Sequence, residues 1–210
     1  MKHTILVTQK EYSKASDFFS AVERFDIRPA PATEHDLAEA IRHHRCRAVI
    51  LGVETHKGEL YDALGDAGGH AGAIIARFGV GTDGIDKQAA RAHNITVTNT
   101  PGVLDQSVAE HTIWLIGTLS RHVTQADADM REGHFSSPTG MEVAGKKLGI
   151  IWFGAIGRRV VRAAHFGLQM HVLAADTRPL SEGELNDLQQ RTGIDTYTSD
   201  AERIISEADI

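Results

Sequence analysis

The run Leu148-Gly149-Ile150-Ile151-Trp152-Phe153-Gly154-Ala155-Ile156-Gly157 precedes a helical pattern and then a strand-like run closing on Ala174-Ala175-Asp176. Binding of a dinucleotide demands this order. A strand-to-helix turn brings backbone N–H groups and a helix N-terminus to a pyrophosphate, and an acidic side chain closing the second strand bonds ribose hydroxyls. Gly154 leaves room for the phosphates, and Gly157 lets the helix pack on the strand. Asp176 stands 22 residues after Gly154, near the ~20 that the geometry requires. A carboxylate there favours NAD over NADP, because it repels a 2′-phosphate; Arg178, two residues on, weakens that preference. The first position of the G-x-G-x-x-G pattern, where glycine makes the tight turn, holds Trp152. From these residues alone, a well-packed βα turn without cofactor remains the alternative.

A second turn, Arg77-Phe78-Gly79-Val80-Gly81-Thr82-Asp83-Gly84-Ile85-Asp86, places two glycines around one residue at a strand end. Successive N–H groups can there face an anion, so the backbone of Val80 and Gly81 could hold a substrate carboxylate. On spacing alone a plain βα turn explains it equally. The 12 histidines invite a metal, yet His43 and His44 are adjacent, the others are scattered, and no H-E-x-x-H occurs. Surface and boundary roles fit them better. Cys46, the single cysteine, precedes the apolar run Ala48-Val49-Ile50-Leu51 and reads as structural.

The elements that must position these turns alternate regularly. Strand patterns fall at 3–8, 27–30, 48–53, 73–77 and 95–99, with helical patterns at 13–24, 34–44, 58–67 and 85–93. Such alternation predicts a doubly wound parallel sheet with helices on both faces. The turn Thr98-Asn99-Thr100-Pro101-Gly102 ends the fifth strand. Ser107-Val108-Ala109-Glu110 then has capping-box spacing, and Val108, Leu115, Ile116 and Leu119, with Thr112, form one stripe of a long helix through about Arg121. After the polar connector Gly133-His134-Phe135-Ser136-Ser137-Pro138-Thr139-Gly140 the alternation restarts. Strands are expected at 147–153, 171–175 and 194–198, and helices at 156–166, 182–191 and 201–208.

The chain has 210 residues, 41% hydrophobic and 24% charged, with a net charge of −6. This is ordinary globular composition, about 1.4 domains by length. Neither charge sign is gathered into a block, which argues against a nucleic-acid surface. No apolar run reaches the ~20 residues of a membrane span, no signal-peptide core forms at the N-terminus, and a cytosolic address is expected.

Four segments together resemble a family. Phe78-Gly79-Val80-Gly81-Thr82-Asp83-Gly84-Ile85-Asp86, Val97-Thr98-Asn99-Thr100-Pro101-Gly102, Val108-Ala109-Glu110-His111-Thr112 and Gly145-Lys146-Lys147-Leu148-Gly149-Ile150-Ile151 look like successive signatures of the D-isomer-specific 2-hydroxyacid dehydrogenases, closest to the phosphoglycerate dehydrogenase branch. The resemblance implies a flavodoxin-like, doubly wound parallel-sheet substrate domain at 1–99. An interdomain helix and the first half of a Rossmann NAD-binding domain follow at 100–210. It also implies an NAD cofactor, a small 2-hydroxy or 2-keto acid substrate in the cleft between the domains, and a homodimer through the NAD domains. Position by position, Val80 and Gly81 match the substrate-carboxylate loop and Val108 a cofactor contact. Ala155 and Ile156 match the residues over the pyrophosphate, and Asp176 the ribose partner. The family's catalytic arginine, glutamate and acid/base histidine are expected beyond position 210, and none of the 12 histidines matches that motif. A complete dinucleotide fold uses two βαβαβ halves, of which this chain supplies the adenosine half. Two readings follow: an NAD-dependent D-2-hydroxyacid dehydrogenase lacking its C-terminal catalytic segment, or a non-catalytic nucleotide-binding or oligomerising remnant.

Overall fold

The computed structural model describes residues 2–210. The chain divides after Val103 into two compact units. In the first, β1 (Thr4–Thr8), α1 (Gln9–Lys14), α2 (Ser16–Ala21), β2 (Asp26–Ala30), α3 (Glu34–His44), β3 (Ala48–Leu51), α4 (Glu59–Gly68), β4 (Ala73–Arg77), α5 (Lys87–Ala92) and β5 (Ile95–Thr98) succeed one another. The five strands are parallel in the order β2-β1-β3-β4-β5, which is the flavodoxin-like arrangement. Its core is aliphatic. Leu6, Val49, Leu51 and Ile75 from the strands meet Leu37 and Ile41 of α3 and Leu60 and Leu64 of α4, all buried. Each contributes roughly 1.5–3 kcal/mol by leaving water.

The first helical pattern is interrupted rather than continuous. Ala15, at φ −144°, lies between α1 and α2, so the stretch expected as one helix over 13–24 forms two short ones starting earlier. Helix α3 ends where Arg45 turns left-handed at φ 48°. Cys46 follows, buried, its Sγ 2.9 Å from the Ala48 carbonyl oxygen. Burial pushes its thiol pKa up, which keeps it protonated and inert as the sequence suggested.

The second unit contains α6 (Asp105–Ser120), α7 (Val123–Arg131), β6 (Lys147–Ile151), α8 (Ala155–Leu168), β7 (His171–Ala175), α9 (Glu182–Thr192), β8 (Thr196–Thr198) and α10 (Ala201–Glu207). Its sheet is parallel in the order β6-β7-β8. On the other side of β6, the Gly149 N–H donates to the Ile210 carbonyl at 2.8 Å and the Ile210 N–H to Lys147 at 3.2 Å. Val160, Val161 and Ala164 of α8 pack with Val172 and Ala174 of β7, Leu188 of α9, and Ala109 and Ile116 of α6.

Helix α6 departs from expectation in two ways. It begins at Asp105, with Leu104 at the cap, so Ser107 lies inside the helix and does not cap it. The complete reciprocal capping box of this unit is Ser181 with Glu184, at the start of α9. The buried face of α6 carries Asp105, Ala109, Ile116 and Ser120, whereas Val108, Leu115 and Leu119 of the apolar stripe are exposed. His122, left-handed at φ 52°, separates α6 from α7, a helix that the polar composition of this stretch concealed.

One buried group makes the first unit sensitive to acid. His56 is 1% exposed, and neither ring nitrogen has a hydrogen-bond partner. Its backbone N–H donates to Gly84 at 3.0 Å; a Cβ on Gly84 would stand 2.5 Å from the Glu54 carbonyl oxygen, so only glycine allows this approach. Burial lowers the His56 pKa, outweighing the opposing pull of Glu34 and Glu54. A histidine held neutral in the folded state takes up its proton on unfolding once the pH falls below its unfolded value of about 6.5. The His56 contribution to the stability of this unit is therefore expected to be constant above about pH 6.5 and to fall as the pH drops below it, so that His56→Phe shows a smaller fall on acidification. Urea unfolding from pH 7.5 to 5 checks this; equal acid dependence in both proteins refutes it.

Candidate functional site

The turn between β6 and α8 is built by strand pairing and completed by one carboxylate. The Trp152 N–H donates to the Ala175 carbonyl at 2.7 Å and the Asp176 N–H to Thr198 at 3.1 Å, carrying both segments out of the sheet together. Asp176 Oδ2 then accepts from the Phe153 N–H at 2.8 Å, and Oδ1 from the Arg178 N–H at 3.2 Å. These backbone donors, that of Arg178 first and then that of Phe153, hold the Asp176 pKa below the usual carboxylate range. The ribose partner expected from sequence is thus fastened to the glycine turn as an anion.

Trp152 does not break the turn; it adopts the conformation a glycine would. Its φ is 74°, in the left-handed region that costs an L-residue about 1–2 kcal/mol. The residue is 74% exposed and recovers little of that by packing. Gly157 is irreplaceable for the reason the pattern suggests: a Cβ there would lie 2.7 Å from the Trp152 carbonyl oxygen. Gly154 faces open space and is the N-cap of α8, with no side-chain cap and no acidic residue in the first turn. The first N–H groups of a helix lack intrahelical acceptors, so those of Ala155, Ile156 and Gly157 stay available to an anion. The residues present therefore fit a pyrophosphate and its ribose.

Gly154, Ala155, Ile156, Gly157 and Asp176 are brought together in this way. Val108 is half-exposed on the first turns of α6, which packs along α8 and is tied to it by Arg159 Nη1 donating to Gln106 Oε1 at 3.2 Å. One contributor escaped the sequence reading. Arg158 donates from Nε to the Phe153 carbonyl at 3.2 Å and lies 5.4 Å over the Phe153 ring. Its place immediately after Gly157 was the available signal.

Val80 and Gly81 belong to the first unit, in the loop after β4. Arg77 braces this loop, donating from Nε to the Gly81 carbonyl at 2.8 Å and from Nη1 to the Phe78 carbonyl. Asn99 Nδ2 donates to the Val80 carbonyl at 2.8 Å, and the Thr100 N–H to Gly79 at 3.0 Å. Buried Tyr61 spans the base, donating to His56 at 3.0 Å and accepting from the Asp86 N–H at 2.6 Å. The carbonyls are taken, while among the described residues nothing accepts from the N–H of Val80 or Gly81. The loop thus offers two backbone donors, with the Asp83 carboxylate close beside Gly81, where a Cβ would stand 3.6 Å from its Oδ2; such paired donors suit an anion. Arg77, Asn99 and Tyr61 were missed because each acts through the backbone of others. Among the described residues no group of three or more His, Cys, Asp or Glu could hold a metal.

The family model described as "D-isomer specific 2-hydroxyacid dehydrogenase, catalytic domain" matches residues 5–208. A hydroxypyruvate reductase of Thermotoga maritima is 43% identical over 100 residues, 46% of this chain and 33% of that protein. The chloroplastic D-3-phosphoglycerate dehydrogenase 3 of Arabidopsis thaliana is 32% identical over 177 residues, 83% of this chain and 29% of that protein. Among solved structures, the pyruvate reductase of Chlamydomonas reinhardtii aligns with a TM-score of 0.76 at 26% identity, covering 100% of this chain and 59% of that one. The matched stretches span about a third of those curated relatives.

The strained turn predicts its own repair. Trp152→Gly is expected to stabilise the second unit by about 1 kcal/mol, because the left-handed penalty exceeds what an exposed indole contributes. Gly157→Ala should destabilise it by about 1–3 kcal/mol through the clash at the turn. Urea unfolding followed by circular dichroism distinguishes them; a Trp152→Gly protein less stable than the parent contradicts the strain.

Proposed function

The chain belongs to the D-isomer specific 2-hydroxyacid dehydrogenase family, and on that premise we propose that it serves hydride transfer between a nicotinamide cofactor and a small D-2-hydroxy acid. The observation that carries this reading is the uncapped start of α8, with Asp176 bonded to the same turn through Phe153. In this proposal the first unit is the substrate domain, and the N–H groups of Val80 and Gly81 bind the substrate carboxylate. The second unit, with the helix that opens it, is the first half of the NAD-binding domain. Ala155, Ile156 and Gly157 bind the pyrophosphate, Gly154 admits it, Asp176 takes the ribose hydroxyls, and Val108 adds an apolar cofactor contact.

The bound cofactor would accept or donate the hydride, and a base must take the hydroxyl proton as hydride leaves the substrate. The family's arginine, glutamate and histidine for these roles have no matching motif in these 210 residues. The residues proposed here are accordingly assigned binding, and no proton-transfer role. Asp176 supports NAD over NADP, since the anion already held there repels a 2′-phosphate.

Exposed apolar side chains of the second unit support a homodimer. Trp114 and Leu119 of α6, each 73% exposed, Met130 of α7 and Phe135 beyond it are accessible to a partner. Among the described residues no helix is long and apolar enough to cross a membrane.

NAD is expected to bind the 210-residue chain saturably in calorimetry, and about five- to tenfold more tightly in Trp152→Gly, where phosphates approach the turn freely. Absence of saturable binding in both proteins, or equal affinity, refutes the assignment of the turn. With NADH and glyoxylate, hydroxypyruvate or phosphohydroxypyruvate the chain alone should show no NADH oxidation; turnover would place the proton-transfer groups inside it. Leu119→Glu should shift the chain from dimer to monomer in light scattering, and a parent that is monomeric at all concentrations removes the dimer proposal.

A further inference from the structure

The loop after β7 contains a cation whose position the dinucleotide reading leaves unexplained. Arg178 lies two residues beyond Asp176, yet its guanidinium is bonded elsewhere: Nη1 and Nη2 are each 3.0 Å from Oε1 of Glu184. Glu184 is itself immobilised, because its Oε2 accepts from both the N–H and the Oγ of Ser181, at 2.9 Å each. This is the capping box of α9, so the helix start anchors the carboxylate. The backbone of Arg178 is pinned as well, its N–H on Asp176 and its carbonyl on the Tyr197 hydroxyl. The Ser181 donors and Arg178 hold the Glu184 pKa down to about 2, which keeps it anionic at neutral pH.

We propose that Glu184 is a positioning residue for cofactor choice: by clamping Arg178, it withholds from the ribose end of the site a guanidinium that would otherwise pair with a 2′-phosphate. The inference rests on the reading of the second unit as a dinucleotide domain and deepens it. Rejection of the phosphorylated ribose then has two sources on this chain, the repulsion of Asp176 and the engagement of Arg178 elsewhere. Guanidinium matches phosphate oxygens with two parallel hydrogen bonds, and its proximity to Asp176 would favour NADP if it were free. The sequence shows the acid and the base side by side; only the clamp shows that the base is occupied.

A conservative substitution separates the two functions of Glu184. A capping box accepts glutamine as well as glutamate at this position, so Glu184→Gln keeps an acceptor for Ser181 while removing the charge that holds Arg178. The 210-residue chain is titrated calorimetrically at low salt with ADP-ribose and with its 2′-phosphorylated form. Glu184→Gln is expected to bind the 2′-phosphorylated ligand about tenfold more tightly than the parent does, with ADP-ribose affinity little changed. The gain should vanish in Glu184→Gln combined with Arg178→Ala. Arg178→Ala alone should leave the ratio of the two affinities as in the parent, because the parent's arginine is already engaged. General loosening of the loop would weaken both ligands and leave that ratio unmoved. An unchanged ratio in Glu184→Gln, a gain that survives Arg178→Ala, or a shifted ratio in Arg178→Ala alone each overturns the clamp while leaving the dinucleotide reading intact. ADP-ribose failing to bind every variant overturns that reading, and the clamp with it.

Discussion

The hydrogen bond from the Phe153 N–H to Asp176 is the constraint on which the second unit's site depends. It joins the end of one strand to the turn leaving its neighbour, fixing in one contact where an anion can approach and where a ribose would be met. The turn's other requirements follow from it. With Phe153 tied down, the chain must reverse within Trp152 and enter α8 at Gly154, and the close contact of Gly157 with the Trp152 carbonyl leaves no space for a side chain. The left-handed tryptophan is the strain this geometry imposes on a sequence without glycine there.

The first unit solves a related problem by opposite means. The second unit uses a helix start for its N–H groups; the first uses a loop whose carbonyls are occupied by Arg77 and Asn99, leaving the donors of Val80 and Gly81 free. Both arrangements concentrate backbone donors at the C-terminal ends of parallel strands, where α/β folds bind ligands. In the proposed function, neither turn relies on a cationic side chain to contact an anion directly. Arginine at these places, Arg77 in one unit and Arg158 in the other, braces carbonyl groups.

Much of this was legible in the amino-acid order because strands and phosphate turns are local patterns. The five strands of the first unit and the three of the second lie where β-rich runs stand, and Gly154, Gly157 and Asp176 meet because their spacing matches strand and helix lengths. What stayed hidden was long-range or conformational. That Trp152 would take φ 74° rather than abolish the turn depends on how firmly both flanks are held. That Ser107 would lie inside α6, leaving the capping box to Ser181, depends on where Leu104 leaves the first unit. The exposure of Val108, Leu115 and Leu119 likewise could not be read from their helical period, since a helix with apolar residues on several sides does not announce which face it buries.

The pairing of β6 on both sides bears on how the chain assembles. β6 is the first strand of its sheet in sequence, yet it lies between β7 and residues 208–210, with Gly149 bonded to Ile210. Its second edge therefore closes only across a loop of some sixty residues, and such distant pairings form late because loop-closure entropy precedes their reward. Residues up to Val103 form a compact unit of their own, whereas the second edge of Leu148-Gly149-Ile150-Ile151 is paired only once residues 209–210 have been synthesised.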